Sequence, residues 1–325
     1  MVLIDKIKTN STLLLAVRII LLIGSFYYLY NEFENRNASE QIGLLIQQIS
    51  ANGLWVFFIL CICLSFLNWF IEAFKWRRIL RNDYLMSYQK AYKAILASLS
   101  MSVFTPNRLG EYGVRILTVP PSLRRKALAS LLVCNISQLS STLLFGCVGI
   151  FVLGGLYTEQ VNPFLRYSIG AIGIVTTLFA YIKLPVILGF LSKWRMFSYF
   201  KRVLRIVNKV DRIILREQLG LSLLRYIVFV SQQSFFFMLA GLEISYTQAF
   251  FTTALFHLAM MGIPTIIWLD VIVKGSVALS LFSLYTNQAE IILAVVFFMW
   301  FLNIAMPAVI GSLFVFNRKK MSANV

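Results

Sequence analysis

The chain has 325 residues, 59% hydrophobic and 13% charged, with a formal net charge of +17 and a mean hydropathy of +0.78. Soluble domains carry about 25% charged residues, so this composition excludes an ordinary soluble domain and points to a multi-pass helical membrane protein. The surplus of base does not indicate nucleic-acid binding, because most of the 30 Lys and Arg residues fall in five short clusters between apolar runs.

In chain order, apolar stretches long enough to cross roughly 30 Å of hydrocarbon are expected at residues 12–30, 53–74, 127–153, 166–190, 219–241 and 289–316. The first is expected to stay in the mature chain, since it is long, flanked by Lys6 and Lys8 and lacks a small-residue cleavage site. The basic clusters are Lys6–Lys8, Lys75–Lys93, Arg124–Lys126, Lys193–Arg216 and Arg318–Lys320. The alternate loops, 31–52, 154–165 and 242–247, carry Glu32, Glu34, Glu40, Glu159 and Glu243 instead. Positive clusters mark the cytoplasmic side, and they attract the anionic lipids of that leaflet. Residues 194–215 fit such a surface: Trp194, Phe197, Leu204, Val207 and Ile214 share a helical face between lysines and arginines. The expectation is one polytopic domain over 1–325, multi-pass in a cytoplasmic (inner) membrane, with both termini cytoplasmic.

Two further segments, 91–118 and 248–283, are apolar but broken by charge and proline. If both crossed the membrane, the basic clusters would land on opposite sides. If both enter and leave on one side, all five clusters share the cytoplasm, so both are read as re-entrant helical hairpins. Backbone breaks at membrane depth are tolerated where protein buries them or a polar cavity lines them. The hairpins also resemble each other. SYQKAYKAILASLSMSVFTP (87–106) aligns without a gap on SYTQAFFTTALFHLAMMGIP (245–264), and Glu111/Arg115 matches Asp270/Lys274 one residue out of phase. The first follows a basic loop and the second an acidic one, which implies an inverted-topology repeat of about 53–153 and 219–316. The fold expected is an all-α integral membrane protein of about six transmembrane helices plus two re-entrant hairpins, with the site at the repeat interface.

The breaks carry the candidate chemistry. Proline ends one half-helix and suits the first position of the next. Thr105 is therefore a cap and Pro106 the start of a new helix whose N-terminus favours a phosphate. Arg108, Glu111 and Arg115 follow on one helical face. Glu111 and Arg115 have the favoured i,i+4 pairing, leaving Arg108 for an anion. Pro264, Asp270 and Lys274 repeat the pattern. Charges at membrane depth line functional sites by default; the competing reading is that they pin broken helices together. If Glu111 and Arg115 serve only each other, exchanging them should be tolerated. Gln232 and Gln233 are either interhelical hydrogen bonders or cavity lining. His257 is read as a hydrogen-bonded interior residue, and Arg18, Lys183 and Arg225 as snorkelling or locally paired. Cys61, Cys63, Cys134 and Cys147 are read as apolar packing residues. No metal site, cofactor, phosphate-cradling loop or catalytic residue is expected.

TPNRLGEYGVR (105–115), with NWFIEAFKWRRIL, the SYxxA start of the hairpins and RYIVFVSQQ, resembles the lysylphosphatidylglycerol synthase transmembrane-region family over nearly the whole chain. Many members have a glycine-rich stretch ending in Glu at the second hairpin, where this chain has IPTIIWLDVIVKG. The resemblance implies a flippase-like lipid translocator. It would bind a phospholipid or lipid-linked anionic headgroup through Thr105, Pro106, Arg108, Glu111, Arg115, Pro264, Asp270, Lys274, Gln232 and Gln233. The alternative is an accessory or integral component of lipid or polyprenyl-linked glycan synthesis. The family's aminoacyl transfer belongs to a separate soluble domain, for which a chain ending at Val325 is expected to have no room. A non-enzymatic protein is therefore expected, with lipid as its partner and a homo-oligomer compatible with the sequence.

Overall fold

The computed structural model describes residues 40, 43, 46–47, 50–51, 53–103, 105, 109–157, 162–263 and 267–314. The expected span 12–30 and the basic ends Lys6–Lys8 and Arg318–Lys320 lie outside these residues. Among the described residues, the regular structure is helical throughout. In chain order the helices are α1 (Trp55–Leu80), α2 (Tyr88–Val103), α3 (Leu109–Leu117), α4 (Arg124–Tyr157), α5 (Pro163–Ile182), α6 (Leu184–Leu191), α7 (Lys201–Val207), α8 (Arg212–Leu239), α9 (Tyr246–Met261), α10 (Ile267–Phe282), α11 (Ala289–Trp300) and α12 (Met306–Ser312). A π-helical turn, Phe301–Ala305, joins the last two.

Among the described residues, four stretches are long and apolar enough to cross a bilayer: Trp55–Leu80, Pro121–Leu153, Pro163–Ile182 and Ala289–Ser312. The chain is thus a multi-pass membrane protein. The expected span 219–241 falls on α8, which is equally long but more polar. The expected span 166–190 is interrupted at Lys183, whose backbone leaves the helical region ahead of Pro185. Helix ends follow local chemistry. Asn162 and Asp211 cap α5 and α8 through their side-chain oxygens. Ser245 forms a capping box with Gln248, and Ser87 accepts from the Lys90 backbone at the matching start of α2. The shared Ser-Tyr of the two hairpins is therefore the same helix-starting device used twice.

The centre of the bundle is an antiparallel pair, α1 against α8. Phe58 meets Phe236, Gln232 donates to the Cys61 carbonyl, Gln218 to the Lys75 carbonyl, and Arg78 grips both oxygens of Glu217 at 3.0 Å. At the end where Arg78 lies, Lys126 pairs with Asp83 and Arg77 donates to the Met86 carbonyl while stacking on Tyr88. The starts of α2, α4 and α8 are thereby gathered at one basic end.

The first arm of each helical pair, α2 before α3 and α9 before α10, rests on a helix distant in the chain. Helix α2 packs on α12 and helix α9 on α4. A Cβ on Gly311 would lie 1.9 Å from the Leu96 carbonyl oxygen, so only glycine admits this approach, and Ser100 donates to the Ala308 carbonyl beside it. Gly146 and Gly149 give α9 the corresponding access, facing the side chains of Leu258 and Leu255. Without a hydrophobic driving force between helices in lipid, such small-residue contacts hold a bundle together. Helix α5 packs chiefly on α4 and leaves Phe164, Ile172, Val175 and Phe179 exposed, as suits an outer, lipid-facing helix.

Candidate functional site

The buried polar residues of α1 and α8 lie on facing stripes. On α1, Ser65, Asn68, Glu72 and Lys75 fall at helical spacing, each at most 5% exposed. On α8, Gln218, Ser222, Arg225 and Gln232 also fall at helical spacing; Gln218, Ser222 and Gln232 are fully buried, and the Arg225 side chain is 19% exposed. Where the stripes meet, Glu72 is the hub. It accepts from Arg115 of α3 at 2.7 Å, pairs with Lys75 at 3.4 Å and with Arg225 at 3.3 Å. Arg115 also holds Glu111, one turn back on its own helix, and donates to Ser98 of α2. The Gln138 amide oxygen, from α4, accepts from Arg225 at 3.1 Å and Lys75 at 3.3 Å. Five helices thus converge on one carboxylate and one amide. Among the described residues the network holds three cations and two carboxylates, with Arg225 and Glu111 its partly exposed members. Buried charge is tolerated only when it is paired and hydrogen-bonded.

Beside the network lies an open cavity of about 330 Å³, lined by α1, α4, α8, α9, α10 and α11 with its π turn. Arg225 belongs to both: it lines the cavity, holds Glu72 and lies 5.7 Å over the Trp69 ring. Lys274, His257 and Gln233 add polar groups, with Gln233 and His257 bonded at 3.0 Å. Trp69, Tyr226, Phe229 and Phe256 supply aromatic walls.

Of the residues expected from sequence, Gln233 and Lys274 line this cavity. Gln232 does not: it ties α8 to α1 through Cys61 and Ser65 and to the π turn through Asn303. The two glutamines therefore divide the alternatives, one gluing helices and one lining space. Glu111 and Arg115 form the expected pair, but Arg115 is 1% exposed and its guanidinium is fully engaged by Glu72, Glu111 and Ser98. Thr105 accepts from the Gly110 backbone at 2.7 Å, within the first turn of α3, whose described range is Leu109–Leu117 rather than a start at Pro106. A Cβ on Gly110 would lie 2.2 Å from the Met101 carbonyl oxygen, which is what lets the two arms close. Pro106, Arg108 and Pro264 lie outside the described residues, as does the side chain of Asp270, whose backbone is part of α10. His257 is hydrogen-bonded as expected, and of the two alternatives for Arg225 the structure shows pairing, with Glu72 and Gln138, which makes it the link between network and cavity.

Glu72, Gln138, Asn68, Trp69 and Asn303 were not singled out from sequence, and Lys75, expected in a cytoplasmic basic cluster, is instead 1% exposed within the network. The signal was present in NWFIEAFK, where Asn68, Glu72 and Lys75 share one helix face, and in the matching face of α8.

Comparison with known proteins gives one family. The family model described as the lysylphosphatidylglycerol synthase TM region matches residues 13–311. Searches of curated proteins and of solved structures returned no match.

Proposed function

The chain belongs to the lysylphosphatidylglycerol synthase TM region family, and from that premise we propose that it is a lipid translocator of the bacterial cytoplasmic membrane. It takes a phospholipid or lipid-linked anionic headgroup into the cavity while the acyl chains stay in lipid. The observation that carries this reading is the cavity's combination of size and charge. A space of about 330 Å³ is at the small end of ligand pockets, enough for a headgroup and not for its tails. Arg225 and Lys274 line it, beside a network with more cations than carboxylates. An anion relieves that excess.

The packing supports a pseudo-twofold, inverted arrangement of two re-entrant hairpins. The first arm of each hairpin rests on the last helix of the other half, and the central pair α1–α8 runs antiparallel. In this reading the Glu72–Arg115–Glu111 chain holds the first hairpin, and Arg225 is the cation shared between strut and substrate. A phosphate in the cavity competes with Glu72 for Arg225, while Lys75 and Arg115 keep Glu72 paired. Arg108 is the corresponding candidate at the turn of the first hairpin, with Thr105 and Pro106 beside it.

The test is transfer of a fluorescent phospholipid between leaflets of proteoliposomes containing the full chain. Arg225→Ala is expected to fold and to lose transfer, with Arg225→Lys between it and the parent, because a point charge replaces the planar fork that grips phosphate oxygens. Parental transfer by folded Arg225→Ala would remove the cavity from the mechanism. Arg108→Ala tests the turn in the same assay.

A further inference from the structure

Two oxygens bridge the same two cations beside the cavity. Glu72 Oε2 lies 3.4 Å from Lys75 and 3.3 Å from Arg225. Gln138 Oε1 lies 3.3 Å from Lys75 and 3.1 Å from Arg225. The contacts differ in kind. Glu72 Oε2 supplies charge without an aligned hydrogen bond, whereas Gln138 accepts a hydrogen bond from each cation. For Arg225 this is the one hydrogen bond among the described residues. Charge also fixes which way the amide points, because its nitrogen end only donates and its oxygen end accepts.

An ionised acceptor at this place would add Coulomb attraction to both hydrogen bonds. Helix α4 supplies an amide instead, with the shape of a glutamate and none of its charge. Glu72 is then the one carboxylate touching Lys75 and Arg225 among the described residues, and it is shared with Arg115 at 2.7 Å. The two cations differ in access. Lys75 is 1% exposed, whereas the Arg225 side chain is 19% exposed and lines the cavity together with Gln138. A phosphate oxygen entering the cavity can replace Gln138 on Arg225, and Gln138 keeps its bond to Lys75.

On the lipid reading above, on which this step rests, we infer that Gln138 is a positioning residue for Arg225. Its amide orients the guanidinium at the cavity wall, and its neutrality leaves that guanidinium free to exchange onto phosphate.

Gln138→Glu keeps the shape and adds the charge, so it separates positioning from simple bracing of the helices. The experiment measures retention of phosphatidylglycerol on the purified full chain by native mass spectrometry, with diacylglycerol of identical acyl chains as the phosphate-free reference. The parent is expected to hold the phospholipid better than the reference. Gln138→Glu is expected to unfold at or above the parent's temperature and yet to lose phospholipid retention about tenfold, the size of one charge-assisted hydrogen bond. Retention of the reference should not change. Gln138→Met has a similar length and no strong acceptor; it should lower both phospholipid retention and unfolding temperature, and it carries the test should Gln138→Glu fail to fold. Parental phospholipid retention by either folded variant, or equal loss of phospholipid and reference, overturns the role of Gln138 and leaves the lipid reading standing. A parent that holds the phospholipid no better than the reference overturns the lipid reading and this role with it.

Discussion

In the first hairpin, Arg115 is enclosed by Glu111, Glu72 and Ser98 and is 1% exposed. In the second, His257 and Lys274 line open space with Met260 and Met261. The sequences of the two hairpins match, down to an acid and a base four residues apart, yet one pair is built into a strut while the base of the other lines a cavity. The difference comes from the partner helix. Glu72 of α1 reaches the first hairpin, and on the second side the facing stripe of α8 presents Arg225, Tyr226 and Gln233, which keep the space polar. A repeated motif therefore fixes where charge enters the bundle, and the neighbouring helix decides what that charge does.

The comparison is broken most forcefully at its hub. Glu72→Gln removes the one carboxylate shared by Lys75, Arg115 and Arg225. Stripping one partner from a buried ion pair costs about 3–5 kcal/mol, so this variant is expected to show the largest drop in thermal unfolding temperature in detergent. A variant as stable as the parent would mean the cations are neutralised elsewhere.

Next is the exchange Glu111→Arg with Arg115→Glu. Were the pair isolated, the double variant would recover the parent's stability. Because residue 115 also faces Glu72 at 2.7 Å, the exchange sets two carboxylates against each other. It is expected to stay at least about 2 kcal/mol below the parent, from the cost of an unsatisfied buried charge. Full recovery in a double-mutant cycle would show that Glu72 is not a partner.

Gly311→Ala and Gly146→Ala compare how the two hairpins are seated. At Gly311 the new methyl meets a backbone carbonyl at 1.9 Å, and at Gly146 it meets the Leu258 side chain at 2.7 Å. Overpacking costs about 1–3 kcal/mol. Gly311→Ala is expected at or above the top of that range, because backbone cannot step aside, and Gly146→Ala at the bottom. Equal losses in unfolding midpoint would contradict the different seating.

The smallest effect is at the basic end. Arg78→Ala breaks the pair with Glu217, whose side chains are 38% and 25% exposed. Exposed pairs contribute about 0–1 kcal/mol, so stability and lipid transfer should both stay close to the parent. Lost transfer in this variant would relocate the site to the membrane surface.

The break between Val103 and Leu109, the capping Thr105 and the Glu111–Arg115 pair were legible because each depends on residues a few positions apart, where proline, glycine and the helical repeat leave a mark. The division of 166–190 at Lys183 was also marked, by Pro185, but the apolar run on either side concealed it. Glu72 was hidden for another reason. Its partners Arg115 and Arg225 lie on other helices, at distances along the chain that no local period reports, and NWFIEAFKWRRIL reads first as the basic edge of a span. The cavity was the least legible feature. It exists only where α1, α4, α8, α9, α10 and α11 meet, so expectation placed the anion at the first hairpin's turn, whereas the described polar space opens against the second.

Three cations against two carboxylates around Glu72 also make the network an electrical object. A bacterial cytoplasmic membrane holds a potential, and each elementary charge moved fully across it is worth about 2.3 kcal/mol per 100 mV. On the proposed lipid-translocator reading, a cavity that rearranges empty across this field carries the network's excess cation along, whereas one loaded with a monoanionic headgroup offsets it. Voltage should then act on the return of the unloaded protein more than on the loaded step, and an imposed diffusion potential across proteoliposomes should change the rate of net transfer while leaving one-for-one lipid exchange nearly untouched.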